Sequence, residues 1–197
     1  MKILVFGSNG LVGSAIKRLL SNSDYQEKYN TYFSTRNDTD LLSKENTSET
    51  IKNFEPDVLI NAAAKVGGIL ANNTERYEFI SKNLKINLNI FDSCVGMNNL
   101  KIINLGSSCI YPLNADNPIK EEYIMSGKLE PTNSPYAMAK LSAIELGSAF
   151  KKNFDNTVVN LMPTNLYGPN DNFSKNESHV IPGLISRMAD AKNNNEK

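Results

Sequence analysis

The sequence has little of several features that define common protein classes. Its 197 residues include no tryptophan, one histidine and two cysteines, and 21 basic side chains balance 21 acidic ones. Two cysteines are too few for the disulfide framework of a small secreted protein. Without net charge or a block of like charge, the chain lacks the electrostatic footprint for nucleic acid or an anionic membrane, so neither partner is predicted. No apolar run reaches the roughly 18 residues of a membrane span, and we predict a cytoplasmic protein with one full domain.

The pattern of apolar residues predicts that strands and helices alternate. Apolar runs are separated by segments of helical periodicity, which is typical of βαβ units around a buried parallel sheet. The pattern predicts strands at residues 2–7, 29–34, 57–64, 101–108 and 157–168. It predicts helices at 11–20, 48–53, 75–95 and 134–150, the last with Ser134 as N-cap and Pro135 at its first position, and an amphipathic stretch at 184–191. The predicted fold class is α/β, a doubly wound parallel sheet of the Rossmann type.

A glycine-rich turn separates the first predicted strand from the first predicted helix. Glycine permits a positive φ and lets the backbone approach a pyrophosphate, which then binds at the helix N-terminus. Glycine spacing alone is weak evidence, but this position is the one that a dinucleotide fingerprint requires. The residues predicted to contact the dinucleotide are Gly7, Ser8, Asn9, Gly10, Leu11, Val12 and Gly13.

The end of the second predicted strand indicates which dinucleotide binds. An acidic residue there would accept hydrogen bonds from the ribose 2′-OH, whereas an arginine would pair with a 2′-phosphate. Arg36 comes first and Asp38 follows it. Because a planar guanidinium suits phosphate, we predict NADPH rather than NADH. The alternative interpretation of Arg36 is a solvated loop charge.

Three side chains form a candidate reductase site. Tyr136 and Lys140 are four positions apart, on one face of a predicted helix, and Ser107 ends the fourth predicted strand. Reduction of a ketone needs a proton delivered to oxygen as hydride reaches carbon. We expect the Lys140 ammonium to lower the pKa of the Tyr136 phenol. Ser107 would hydrogen-bond the substrate carbonyl.

Five strings in order along the chain resemble those of a known family. They are NAAAKVGGILANN, GSSCIYP, EPTNSPYAMAK, MPTNLYGPNDNF and SHVIP. The chain is similar over nearly its whole length to the extended short-chain dehydrogenase/reductases that modify nucleotide sugars, which also share its G-x-x-G-x-x-G spacing, and among them to the GDP-L-fucose synthases. The resemblance implies NADPH-dependent epimerisation at C3 and C5 and reduction at C4 of GDP-4-keto-6-deoxy-D-mannose to GDP-L-fucose.

The resemblance also implies roles for individual residues. It makes Ser107, Tyr136 and Lys140 the reductase triad, and Cys109 and His179 the proton-transfer pair for epimerisation. Thiol and imidazole groups have ordinary pKa values of ~8.5 and ~6.5, which suits acid and base roles near neutral pH. In an extended backbone Cys109 and Ser107 would point to the same side. Without the resemblance, Cys109 would be interpreted as packing and His179 as a surface residue.

Further cofactor and substrate contacts follow from the same resemblance. The implied cofactor contacts outside the glycine turn are Ala62, Ala63, Leu105, Gly106, Ser107, Ser108, Tyr136, Lys140, Pro163, Thr164, Asn165, Leu166 and His179. Asn165 and Arg187 are the implied contacts to the GDP-sugar substrate, although Arg187 is also interpretable as an exposed helix charge. No metal site is predicted.

Members of the resembled family continue past the position that matches Lys197. We therefore expect an NADP-binding Rossmann domain at residues 1–170 and the start of an incomplete substrate-binding region at 171–197. The resemblance implies a homodimer paired through the helices at 75–95 and 135–150. Two alternatives stay open: a dinucleotide-binding module without turnover, and a nucleotide-sugar 4-epimerase or 4,6-dehydratase. A dehydratase would be expected to carry Thr and Glu where this chain has Ser108 and Cys109.

Overall fold

The structure, a computed structural model, describes residues 1–174 and 178–194. Within these residues lie five strands: β1 Lys2–Phe6, β2 Asn30–Ser34, β3 Val58–Asn61, β4 Lys101–Leu105 and β5 Thr157–Leu161. They form one sheet in the order β2-β1-β3-β4-β5, and every neighbouring pair is parallel. The chain leaves β1 toward one edge of the sheet and returns to build the other edge from β3 onward. The predicted fold class, a doubly wound parallel sheet, is confirmed.

The described residues also contain seven α-helices. They are α1 Leu11–Leu20, α2 Ser23–Gln26, α3 Lys44–Phe54, α4 Ile69–Thr74, α5 Arg76–Ser93, α6 Ser134–Asn153 and α7 Val180–Asn193. Two 3₁₀ turns lie at Ser108–Ile110 and Glu121–Tyr123. Among the described helices none is long and apolar enough to cross a membrane.

Both faces of the sheet are buried by apolar side chains. Leu4 and Phe6 of β1 point to one face, where they join residues of α3, α5 and α6 in the larger core cluster. Ile3 and Val5 point to the other face, where residues of α1 pack. Alternate residues of one strand therefore enter two separate cores, which is why the strand sequences are apolar without interruption.

At two helices, the residue that caps the N-terminus explains a difference from the sequence-based prediction. Helix α3 begins at Lys44 rather than residue 48, because the Ser43 Oγ accepts a hydrogen bond from the Asn46 N–H at 3.2 Å and caps the helix. The prediction of Ser134 as N-cap was wrong. Ser134 is the first residue of α6, Asn133 is the N-cap, and Pro135 occupies the second position. The Ser134 Oγ instead accepts a hydrogen bond from the Arg76 guanidinium of α5, at 3.2 Å.

Three strands end at least three residues earlier than predicted, and the residues after them form loops. Strand β3 ends at Asn61, β4 at Leu105 and β5 at Leu161. At β3 the cause is local: the Asn61 Oδ1 accepts a hydrogen bond from the Ala63 N–H at 3.1 Å, a turn that competes with further strand pairing. The loops that follow β3, β4 and β5 lie together at the carboxyl edge of the sheet.

The larger core provides a test of the fold. Phe150 of α6 is 4% exposed, and its ring centroid lies 5.4 Å from Phe91 and 4.8 Å from Phe154. We expect Phe150→Ala to lower the free energy of unfolding by about 3–5 kcal/mol, since it leaves a cavity between two aromatic rings. Urea denaturation followed by circular dichroism measures the change. Leu19→Ala, at a side chain that is 57% exposed, is the control and should change it by less than about 0.5 kcal/mol. Equal effects would contradict this packing.

Candidate active site

The strand order places a crevice at the carboxyl ends of β1 and β3. Ligands of open α/β sheets bind where successive connections leave the sheet in opposite directions, and here that point lies between these two strands. A cavity of about 650 Å³ opens there. Loops that follow all five strands contribute to its wall, and the sequence-predicted residues on it are Gly7, Asn9, Gly10, Leu11, Val12, Arg36, Ala62, Ala63, Gly106, Ser107, Tyr136, Pro163, Thr164, Asn165, Leu166 and His179.

Asparagine side chains, three of them buried and Asn160 half-buried, join the ends of the three strands on one side of this crevice. The Asn61 Nδ2 donates to the Oδ1 of Asn87 at 3.2 Å and of Asn104 at 3.3 Å, and the Asn104 Nδ2 donates to the Asn160 Oδ1 at 3.1 Å. Asn61, Asn104 and Asn160 are direct neighbours in the strand register. This amide row links β3, β4, β5 and α5 just below the loops of the site.

The side-chain amide of Asn83 holds the loop after β3 against α5. The Asn83 Oδ1 accepts from the Lys65 N–H at 2.9 Å, and its Nδ2 donates to the Lys65 carbonyl at 3.0 Å and the Phe79 carbonyl at 2.7 Å. Asn83 is 1% exposed. Because both backbone groups of Lys65 are bound, this loop has a defined path without regular secondary structure.

The glycine turn after β1 leaves no room for side chains on its inner side. Gly7 has a φ of 77°, and a Cβ there would lie 2.7 Å from the Ala63 nitrogen. A Cβ on Gly13 would collide with the Gly7 carbonyl oxygen. Helix α1 therefore begins close against β1 and β3, with its N-terminus at the cavity. The Ser8 Oγ is fully buried without a hydrogen-bond partner among the described residues.

The loop after β2 presents the Arg36 guanidinium to the cavity, whereas the Asp38 carboxylate accepts hydrogen bonds within the loop. The Asp38 Oδ2 accepts from the Thr35 Oγ1 at 2.6 Å and the Thr35 N–H at 2.8 Å. These two hydrogen bonds hold the pKa of Asp38 below its usual value. Arg36 is exposed and lies on the cavity wall, and Asp38 does not. Asp40 also lies on the wall, and its Oδ1 accepts from the Leu42 N–H at 3.0 Å. Arg36 is thus the cation that this loop offers to an anionic group.

The opposite end of the cavity brings together the predicted reductase residues. Tyr136 and Lys140 share one face of α6, as predicted, and Lys140 is 4% exposed. The Lys140 Nζ donates to the Leu105 carbonyl at 2.6 Å and lies 5.6 Å from the Tyr136 ring centroid. Ser107 follows β4 on the same wall as Tyr136. A hydroxyl, a phenol and an ammonium thus converge at the end of β4.

Burial sets the protonation of this cluster, which corrects one expectation. Lys140 was expected to lower the pKa of Tyr136, but the pKa of Tyr136 is raised, first by burial and then by the nearby Cys109. Burial lowers the pKa of Lys140 to about 8. The cause is that both groups lose water in the same pocket, and burial disfavours each charged form. At neutral pH the phenol keeps its proton and can act as an acid, while the lysine stays charged.

Cys109 lies beside this cluster, but its backbone conformation is not the predicted extended one. It lies inside the 3₁₀ turn Ser108–Ile110, so the argument from an extended backbone was wrong. Ser107 is the N-cap of that turn, and its Oγ accepts from the Cys109 N–H at 3.4 Å. Burial raises the pKa of the Cys109 thiol, while the Ser107 hydrogen bond and the Lys140 charge oppose that rise. Cys109 is therefore close to both Ser107 and Lys140.

The remaining predicted residues divide between the wall and the layer behind it. His179 is exposed on the wall, as the N-cap of α7. Those that do not line the cavity are Ser8, Gly13, Leu105, Ser108, Cys109, Lys140 and Arg187. Most support the wall: the Ser108 N–H donates to the Pro163 carbonyl at 3.2 Å and joins two loops. Arg187 is exposed on α7, where its Nε donates to the Gly183 carbonyl at 3.3 Å.

Sequence reasoning missed several wall residues. They are Thr39, Asp40, Leu41, Leu42, Lys65, Val66, Gly67, Asn72, Phe79, Lys82, Ile86 and Asp171, among others. The string AAKVGGI pointed to part of this set but assigned no role within it. The rest lie on helices or loops whose side chains face the crevice only because of the tertiary packing.

Comparison with known proteins identifies the family. The model of the NAD dependent epimerase/dehydratase family matches residues 3–197. The chain belongs to this family. It is 43% identical over 191 residues to a GDP-L-fucose synthase of Sinorhizobium fredii, covering 97% of this chain and 60% of that protein. It is 40% identical over 190 residues to a GDP-L-fucose synthase of Escherichia coli, covering 96% and 58%.

A solved structure from the same family has the same fold. A GDP-L-fucose synthetase from Naegleria fowleri bound to NADP superposes with a TM-score of 0.88 at 30% identity, covering 99% of this chain and 59% of that one. The family expected from the sequence strings is thereby confirmed. The chain spans about 60% of the length of the curated family members that it matches.

The two cysteines should differ in reactivity toward iodoacetamide. Burial raises the pKa of Cys94 to about 12, and its side chain is fully buried. The Cys109 thiol is half-buried with a smaller rise, so its alkylation should be slow at pH 7 and accelerate as the pH rises and the thiolate forms. Ser107→Ala should slow it further, because loss of the hydrogen bond raises the thiol pKa. Mass spectrometry of native protein measures both sites, and fast labelling of Cys109 below pH 7 would contradict the geometry.

Proposed function

We propose that this chain carries the cofactor site and the catalytic residues of an NADPH-dependent epimerase/reductase. Its substrate would be GDP-4-keto-6-deoxy-D-mannose and its product GDP-L-fucose. The observation that carries the proposal is the convergence of Ser107, Tyr136 and Lys140, with Cys109 behind them, at one end of a cavity whose other end holds the glycine turn and Arg36. The names of the related GDP-L-fucose synthases support this substrate and product.

The residues present fit an NADP cofactor. The inner side of the glycine turn is too tight for side chains, and its outer side is the exposed N-terminus of α1, which suits a diphosphate. The unpartnered Ser8 Oγ lies within the same turn. Arg36 would bind the 2′-phosphate, and Lys140 with residues 105–108 and 163–166 would hold the nicotinamide half. When bound, NADPH supplies the hydride for C4.

Reduction requires a proton donor and a group that orients the carbonyl. The Ser107 hydroxyl is free to rotate toward a substrate carbonyl oxygen. Tyr136, half-buried on the cavity wall, keeps its proton at neutral pH and would deliver it to the C4 oxygen as C4 is reduced. Lys140 holds the loop at Leu105 through its 2.6 Å hydrogen bond and keeps a positive charge below pH about 8. The raised pKa keeps the phenol protonated but also makes it a weaker acid, so proton transfer would depend on the negative charge that develops on the C4 oxygen as hydride arrives.

Epimerisation requires proton exchange at the two carbons that flank the C4 ketone. Cys109 and His179 are the side chains that we assign to it. Removal of a proton at C3 or C5 gives an enolate, whose oxygen Ser107 and Tyr136 would stabilise by hydrogen bonds. His179 is exposed at the start of α7 and accessible to a bound sugar. Asn165 on the wall and Arg187 on α7 would contact the sugar nucleotide.

The other expectations about the whole protein stay part of this proposal. We infer a cofactor domain at 1–170 followed by the start of a substrate-binding region, a cytoplasmic location, and a homodimer through α5 and α6. The exposed side chains of Tyr77, Leu88 and Met138 on these two helices support the last inference. One observation favours a second candidate, a module that binds NADPH without turnover. Helix α7, within the proposed substrate-binding region, leaves the side chains of Val180 69% and Met188 68% exposed.

One assay separates the two candidates. The chain is mixed with NADPH and GDP-4-keto-6-deoxymannose, and the absorbance of the reduced nicotinamide is followed. Loss of absorbance together with formation of GDP-L-fucose supports the enzyme. Binding of NADPH without oxidation favours the module without turnover, and no binding of NADPH contradicts both.

The preference for NADPH should depend on Arg36. We expect Arg36→Ala to weaken NADPH binding about 10- to 100-fold, since a hydrogen bond to a charged phosphate is lost, and to leave NADH binding nearly unchanged. Fluorescence titration of the two nucleotides measures this ratio. Lys44→Ala is the control, because Lys44 is exposed and pairs with Asp92 outside the cavity wall. An equal loss for NADH would place Arg36 away from the 2′-phosphate.

Epimerisation should depend on Cys109 and not on Cys94. We expect Cys109→Ser to abolish exchange of the C3 and C5 protons with solvent deuterium and to leave NADPH binding intact, because serine is close to cysteine in size and the backbone N–H of residue 109 can still donate to the Ser107 Oγ. Proton NMR of the sugar follows the exchange. Cys94→Ala, in the core at the end of α5, should retain it. Undiminished exchange in Cys109→Ser would remove Cys109 from the mechanism.

A further inference from the structure

One amide on the cavity wall has an unused hydrogen-bond acceptor. Asn72 of α4 is 7% exposed and lines the cavity. Its Nδ2 donates to the Gly67 carbonyl at 2.7 Å and the Gly68 carbonyl at 3.0 Å. Its Oδ1 is buried without a hydrogen-bond partner among the described residues.

The two hydrogen bonds of Asn72 determine which way its amide faces. Both amide protons are directed at carbonyl oxygens, so an exchange of the nitrogen and oxygen positions would place two acceptors against each other. The Oδ1 therefore points away from the backbone of its own loop. A buried acceptor without a donor is unfavourable in the folded protein, and the residue that carries this one lines a cavity that a ligand can enter.

Contacts through Phe79 place Asn72 at the Tyr136 end of the cavity. Asn72 is bonded to Gly67, and a Cβ on Gly67 would lie 3.1 Å from the Phe79 Cζ. The Phe79 ring meets the Tyr136 ring edge-on, with centroids 6.3 Å apart. The acceptor is therefore near the proposed reacting end, not near Arg36.

The charges beside Asn72 compensate each other. The Lys65 Nζ lies 2.6 Å from the Glu75 Oε2 and 4.8 Å from the Phe79 ring centroid. This cation already has a carboxylate and an aromatic face, and the Nζ of Lys82, another lysine on the wall, lies 2.6 Å from the Glu78 Oε2. Because both lysines are paired, this part of the wall does not favour a phosphate. A neutral group with an O–H donor is the chemistry that fits.

We propose that the Asn72 Oδ1 accepts a hydrogen bond from a hydroxyl of the substrate's sugar ring, which makes Asn72 a specificity-determining residue. The inference rests on the proposed function, because it takes the ligand at this end to be the sugar of a sugar nucleotide. The sugar ring of GDP-4-keto-6-deoxymannose has two hydroxyl donors, one at C3 next to the ketone and one at C2.

Deoxy sugars test the contact directly. Binding of GDP-4-keto-6-deoxymannose and of its 2-deoxy and 3-deoxy forms is measured by calorimetry with the unmodified chain and with Asn72→Ala. We expect one deoxy form to bind the unmodified chain about 2- to 10-fold more weakly than the parent sugar, as for loss of one neutral hydrogen bond. Asn72→Ala should weaken the parent by the same factor and should not weaken that deoxy form further.

A buried amide elsewhere provides the matched control. Asn156 is also 7% exposed, but its Nδ2 donates to the Met97 carbonyl at 2.9 Å, its Oδ1 accepts from the Leu100 N–H at 2.8 Å, and it is not on the cavity wall. Asn156→Ala should lower the unfolding temperature and leave the preference between the sugars unchanged.

Three results would overturn the inference. The first is equal binding of all three sugars to the unmodified chain, a result that does not depend on the folding of a variant. The second is a preference between the sugars that Asn72→Ala retains. The third is a loss of NADPH affinity in Asn72→Ala with unchanged sugar binding, which would assign the acceptor to the cofactor. Failure of the proposed function has a different signature, the absence of NADPH oxidation by the unmodified chain, and the binding comparison is valid without turnover.

Discussion

The row of hydrogen-bonded amides at the ends of β3, β4 and β5 is the interaction on which the site depends. Asn61 joins its own turn to Asn104 and Asn87, and Asn104 continues the row to Asn160. In a buried, water-poor position every one of these polar groups needs a partner, so the strand ends are held in one register. The loops that carry Ala63, Ser107 and Pro163 therefore leave the sheet from one level and form a single wall.

Burial then decides the chemistry of the groups on that wall. Tyr136 and Lys140 lose water together, and each is driven toward its neutral form. For the phenol this means a proton held more firmly than at the ordinary pKa. For the lysine it means a positive charge that is present at neutral pH and lost as the pH rises through its lowered pKa of about 8. The same burial keeps Cys109 in its thiol form near neutral pH.

The two ends of the cavity differ in charge, and this difference orients a ligand. At one end the glycine turn and Arg36 offer backbone N–H groups and a cation to phosphates. At the other end Lys65 is neutralised by Glu75, and Asn72 offers only a neutral acceptor. A ligand with phosphates at one end and neutral donors at the other would be oriented by this difference.

Much of the fold and part of the site were predictable from local pattern. Apolar periodicity predicted the α/β class, the glycine spacing predicted the turn after β1, and a four-residue interval placed Tyr136 and Lys140 on one helical face. The N-cap of α6, the 3₁₀ turn at Cys109 and the pKa of Tyr136 were predicted wrongly, and Asn72 was missed. The sequence by itself determined what depends on near neighbours along the chain. Only the tertiary structure decided hydrogen-bond partners, burial and protonation, because these depend on groups distant in sequence that meet when the sheet forms.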